Sequence, residues 1–204
     1  MPDRLRPLWD FDDLEATEAR LRQQLEHEQT DVGRAEVLAQ LARLKSLSDD
    51  FDGCERLLNQ AESLAGDGIA SVRIDLERGR KLRSSGDGRA ASPLFERAYR
   101  RACELHAFWF AGDAAHMVAI SDSSKMVEWT ERGLALAESE PDAAYWAGPL
   151  LNNLGWHYYD TGDHAKALEV FERALEVRKR DPENPQATVW AQEAIDEARK
   201  ALEG

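Results

Sequence analysis

Three groups of residues have the types and spacing for specific contacts. The first is basic. Between Arg73 and Arg101 lie nine Lys or Arg and four Asp or Glu, a local net of +5 in a chain whose total is −13, so the remainder carries −18. Arg73, Arg80 and Arg83 share one helical stripe, stepping by three and four through Leu76. A guanidinium is a planar fork that gives a carboxylate two parallel hydrogen bonds. The island therefore predicts a negative contact, either an acidic ligand or the chain's own Asp75, Glu77 and Glu104 at helical spacing. The second group is Asn152 and Asn153. An amide side chain donates and accepts at once, which suits a peptide backbone or a bond between neighbouring helices. The third is aromatic: Trp109, Phe110, Trp156, Tyr158 and Tyr159. Phe110 and Tyr158 are assigned to packing, and Trp156 and Tyr159, close to Gly155, to a binding surface.

Nothing beside them points to bond-making chemistry. His27, His106, His116, His157 and His164 show no ligand spacing such as His-Glu-x-x-His, and neither Cys54 nor Cys103 lies in a zinc pattern. No metal and no cofactor are expected. A phosphate-cradling glycine loop and a nucleophile elbow are both missing. Carboxylates are abundant, but no two stand out as general acid and base. Binding rather than catalysis is the expectation.

These side chains need a scaffold. With 204 residues, the chain can bury a core without disulfides or metals. It is 43% hydrophobic and 32% charged, a folded composition. No apolar run reaches the ~18 residues of a membrane helix, and Met1-Pro2-Asp3-Arg4 does not open a signal peptide. Two distant cysteines fit a reducing cytoplasm. The acidic total argues against sequence-independent nucleic-acid or anionic-membrane binding. Arginine outnumbers lysine 20 to 6, a hint of a GC-rich bacterial genome.

Apolar residues recur at steps of three and four, and alternating runs are absent, so the reading is all-α. About ten helices are expected near 10–28, 34–47, 50–65, 69–84, 88–105, 107–120, 123–138, 143–160, 164–179 and 186–202. Turns rich in Gly, Ser and Asp join them, such as Ser85-Gly86-Asp87-Gly88 and Thr161-Gly162-Asp163. Aligned on those turns, small residues fall in phase. One series is Ala42, Gly79, Ala114 and Gly155. Others are Cys54, Ala91, Met126, Ala167 and Ala61, Ala98, Gly133, Ala174, all at steps of 37, 35 and 41. Leu58, Phe95, Thr130 and Phe171 share the complementary offset. A helical hairpin repeating at this period marks an α-solenoid, because paired helices approach closely only where side chains are small.

The chain resembles the tetratricopeptide repeat family. Its best unit runs Leu151-Asn152-Asn153-Leu154-Gly155-Trp156-His157-Tyr158, then Gly162-Asp163, then Ala165 to Leu175. That opening is similar to the longer repeats of kinesin light chains and bacterial peptide-sensing regulators. The resemblance implies a right-handed superhelix of four pairs, near 34–66, 69–105, 107–139 and 143–180. Caps would be residues 1–33, with Leu14, Leu21 and Leu25 inward, and 185–204, with Trp190, Ala191, Ala194, Ile195, Ala198 and Leu202 inward. The closing prolines are displaced, as at Pro141 and Pro182. Pro93 implies that its helix starts near Ser92 or bends there.

The resemblance also implies that the first helix of each pair lines a concave groove. The groove residues would be Arg43, Arg73, Arg80, Arg83, Phe108, Asn152, Asn153, Trp156 and Tyr159. Asparagines here would hold a bound backbone, arginines its acidic side chains or carboxylate, and the aromatics its apolar ones. The Lys and Asn set that clamps chaperone carboxylates is absent, since Ala39, Arg43 and Glu77 stand there. The implied function is a non-catalytic protein- or peptide-binding scaffold. Alternatives are a homodimer through the N-terminal helix and the uniformly apolar helix 107–120, which could instead be buried in the array, and a peptide-sensing regulatory subunit.

Overall fold

The computed structural model describes residues 3–180 and 184–203. Met1-Pro2, Pro182 and Gly204 lie outside them. The described residues form ten α-helices and no strand. They are α1 (Leu14–His27), α2 (Asp31–Leu47), α3 (Phe51–Ala65), α4 (Ile69–Ser84), α5 (Gly88–Glu104), α6 (Phe108–Ser121), α7 (Met126–Ser139), α8 (Ala147–Asp160), α9 (His164–Arg178) and α10 (Pro185–Glu203).

Turn chemistry explains the boundaries. Asp50, Asp87 and Asp163 each accept a backbone N–H three residues on and so start the second helix of a pair. Just before two of them, Gly86 and Gly162 take φ of +96° and +83°, where a side chain would be strained. Asp49 occupies the same place in the first hairpin at φ +59°.

Within each hairpin, size is complementary. A Cβ on Gly79 would stand 2.4 Å from the Phe95 ring, and one on Gly155 2.3 Å from the Phe171 ring. The other two pairs put alanine opposite a smaller partner: Ala42 with Leu58, and Ala114 with Thr130, all buried. The phased small residues thus let the hairpins close. Helices α2, α4, α6 and α8 also touch one another in succession, while the substantial contacts of α3, α5, α7 and α9 are only with chain neighbours. The first helices therefore form an inner layer, and the chain is an α-solenoid.

The structure departs from expectation, or chooses between two expectations, at four places. First, the step of 41 residues contains a 3-10 turn, Pro141–Trp146, so α8 starts at Ala147 rather than 143. Trp146 anchors that turn by resting on Gly112 of α6, where a Cβ would come within 2.3 Å of its ring. Second, α5 starts at Gly88 under the Asp87 cap, so Pro93 sits inside it and leaves the Arg89 carbonyl without its usual donor. Third, the apolar circumference of α6 is spent within the array, against α4, α5, α7, α8 and the 141–146 turn. Fourth, Ala191, Ala194, Ile195 and Ala198 of α10 are buried, but Trp190 is 58% and Leu202 50% exposed. Trp190 lies at the edge of that alanine stripe and opens onto the groove.

The expectation for the segment before α1 is part of a cap. Residues 3–11 instead run as a strap over the inner layer. Leu5 is buried among Leu21, Val37, Leu41 and Leu44. Trp9 Nε1 donates to Gln40 Oε1 at 2.8 Å, and Arg20 Nε to the Leu8 carbonyl at 2.9 Å.

Candidate binding site on the concave face

In the first half of the groove, the chain neutralises its own arginines. Arg73 is only 2% exposed. Its Nε donates to Glu36 Oε2 at 3.0 Å, its two terminal nitrogens grip the Asp3 carboxylate, and its guanidinium lies 4.6 Å over the Phe110 ring. Arg80 Nη2 donates to both Asp113 oxygens at 2.6 Å, and Nη1 to Glu77 at 2.7 Å. Arg43 stacks on Trp9 and Phe11, 5.1 and 5.5 Å from their centroids, and stands 4.0 Å from Glu77. Arg73 and Arg80 offer no free guanidinium to a ligand, whereas Arg43 makes no hydrogen bond among the described residues and leaves its Nε buried and unpartnered. Of the groove arginines, Arg83 alone is exposed, with no carboxylate partner among the described residues.

Titration follows from this geometry. Burial alone would raise the Asp3 pKa, but the hydrogen bonds and charge of Arg73 outweigh it and hold the carboxyl below its ordinary value. Arg80 is likewise buried, yet Asp113 and Glu77 raise its pKa well above the ordinary guanidinium value. Burial lowers Arg43, helped by the repulsion of Arg80.

The partners differ from those expected. Of Asp75, Glu77 and Glu104, only Glu77 pairs with a groove arginine, while Asp75 takes Arg97 at 2.5 Å. Asp3, Glu36 and Asp113 were missed. Helical spacing reveals pairs within one helix, but Glu36 and Asp113 reach their arginines across neighbouring inner helices and Asp3 reaches Arg73 from the strap. The useful signal was complementary residues one repeat apart: Glu36 and Arg73 are separated by 37 residues, Arg80 and Asp113 by 33, His116 and Asn153 by 37.

In the second half, Asn153 Nδ2 donates to His116 Nε2 at 2.8 Å, joining α8 to α6. The Asn153 Nδ2 is therefore taken by the scaffold, while the residue still lines a C-terminal hollow. His116 Nδ1 is buried and unpartnered, and burial pulls the ring's pKa down to about 4. Asn152 and Trp156 line this C-terminal hollow of about 540 Å³ with Pro149, Arg178, Glu193 and the unanticipated Trp190. Trp156 is braced edge-on by Phe171 at 5.1 Å. Tyr159 packs between Trp156 and His164, outside that lining. Phe108 sets its ring against His106 and lines neither that hollow nor the central one. A larger hollow of about 1220 Å³ lies centrally, between the strap and the ends of α7 and α9.

No group of three His, Cys, Asp or Glu among the described residues is placed to hold a metal. Burial pushes the Cys54 thiol up to about 12, so it is a packing residue and not a thiolate. No helix of the described residues is long and apolar enough to cross a membrane.

Comparison with known proteins agrees with this architecture. The tetratricopeptide repeat family model matches residues 125–180. No curated protein matches the chain. Among solved structures, BtubC (BKLC) from P. vanneervenii is similar, with TM-score 0.65 and 18% identity over 98% of this chain and 85% of that one. At that identity the likeness concerns the fold alone. Residues 125–180 thus match the tetratricopeptide repeat family, in a chain whose other hairpins stack by the same rule of small against large.

Proposed function

We propose that this chain is a non-catalytic scaffold that docks a protein or peptide segment in the second half of its concave face. Tetratricopeptide repeats generally serve protein–protein interaction, and a preformed solenoid loses little entropy on binding. The observation that carries the reading is the C-terminal hollow. There Asn152, whose amide makes no hydrogen bond among the described residues, lines one hollow with Trp156 and Trp190. An amide can take a backbone N–H and C=O together, and the two indoles can cover apolar side chains. Arg178 and Glu193 at the rim add charge selection, Arg178 favouring acidic residues. A short segment held so should bind at about micromolar strength.

Peptides selected from a displayed random library against the chain test this. Titration should show Asn152→Ala and Trp156→Ala each weakening the selected peptides about tenfold, with thermal melts little changed. Peptides that bind Asn152→Ala/Trp190→Ala as tightly as the parent would sink the reading.

A further inference from the structure

The central hollow is a different kind of site. Its walls are apolar, from Trp109, Leu134, Tyr145 and Val177, and Arg6, Arg178 and Arg180 face it. These three form no ion pair among the described residues, in a molecule where Arg43, Arg73 and Arg80 all meet carboxylates. Arg6 is held by rings, 5.6 Å from the Tyr145 centroid and 6.0 Å from that of Trp109. A guanidinium stacked by its face keeps its N–H edge free to donate. Arg4 and Asp3, also on the wall, are occupied by Glu28 and Glu36 and by Arg73. Glu138 is the one further carboxylate in the lining.

Shape limits the occupant. The strap fills the groove toward the first hairpins, so an extended chain cannot run on through the hollow in that direction. Apolar walls with a few placed charges suit a compact molecule. We propose that the central hollow binds a compact amphipathic organic anion, an apolar body bearing one acid group that Arg6 and Arg180 grip. The site is completed by the strap, since Arg6 comes from it. This goes beyond peptide docking and does not depend on it.

Anilinonaphthalene sulfonate is a suitable probe, with phenylnaphthylamine as the same ring system without the acid. The net charge of −13 disfavours the sulfonate elsewhere on the surface. The expected result is saturable fluorescence at one probe per chain, weakened about tenfold by Arg6→Glu and by Arg180→Glu. Both residues are exposed, so thermal melts of the variants should overlay the parent and exclude probe uptake by loosened protein. Phenylnaphthylamine should bind all three alike. Decanoate and decyl phosphate in competition then identify the acid, and displacement by either supports the site. Equal sulfonate affinity in parent and variants, or no displacement by either competitor, overturns it. Asn152→Ala should leave probe binding unchanged, which separates this outcome from that of the peptide experiment.

Discussion

Phe171 over Gly155 shows how single atoms hold this solenoid together. A methyl group on Gly155 would favour the helix by about 1 kcal/mol. It would also meet the ring at 2.3 Å, far inside contact distance. Overpacking should win, so Gly155→Ala is expected to destabilise by about 1–2 kcal/mol in urea unfolding. Phe171→Leu makes room, so the double variant should lose less than the two singles combined, with a coupling near 1 kcal/mol. Strict additivity would show that the ring does not set the approach of the two helices. Asp3 gives a second prediction. Its folded pKa lies below its unfolded value of 3.8, so its contribution is present above that value and lost as pH falls through the lower folded pKa. Asp3→Asn should cost about 1–3 kcal/mol near neutrality and flatten the acid end of the stability profile. Parallel profiles for parent and variant below pH ~4 would contradict the pairing with Arg73.

Among the elements, the strap and the 141–146 turn interrupt an otherwise regular array. Both follow the same logic: an irregular segment is held by one deeply seated side chain, Leu5 in one case and Trp146 in the other. Leu5→Ala should cost about 2–4 kcal/mol, because the cluster of Leu21, Val37, Leu41 and Leu44 cannot collapse onto the cavity. Hydrogen exchange should localise the effect to α1 and the middle and last turns of α2. Unchanged protection there would mean that the strap is not part of the packed inner layer. The turn explains why one repeat step is longer, since its six residues are the excess over the neighbouring step of 35.

Across the whole molecule, stability should spread by nearest neighbours, as in any array whose units touch only adjacent units. Helix α10 buries Ala194, Ile195 and Ala198 against α9 around Phe171. Ending the chain after residue 180 should therefore speed amide exchange most in α8 and α9, and leave α2 and α3 nearly unaffected. A uniform loss of protection would instead mean that the chain behaves as one globular unit. Charge is also distributed along the array. The chain is acidic in total, but its inner layer carries a ladder from Glu36 and Arg73 through Glu77, Arg80 and Asp113 to His116 and Asn153. That ladder ties each inner helix to the next and takes up the basic island before a ligand can meet it.

The residue order by itself determined the helices, their capped turns and the phase of small against large. Each of these is a local or strictly periodic property, set by neighbours three, four or one repeat away. The pairing of glycines with Phe95 and Phe171 was legible for that reason, as was the membership of Asn152 and Trp156 in one concave patch. Tertiary structure alone decided which carboxylates met the arginines. Asp3 and Arg73 are 70 residues apart, and no period links them. A guanidinium accepts any carboxylate within reach, so the choice depends on which one folding brings to about 3 Å while shedding least water. The same holds for Trp190 and for the central hollow, whose walls come from opposite ends of the chain and exist only once the array has curved.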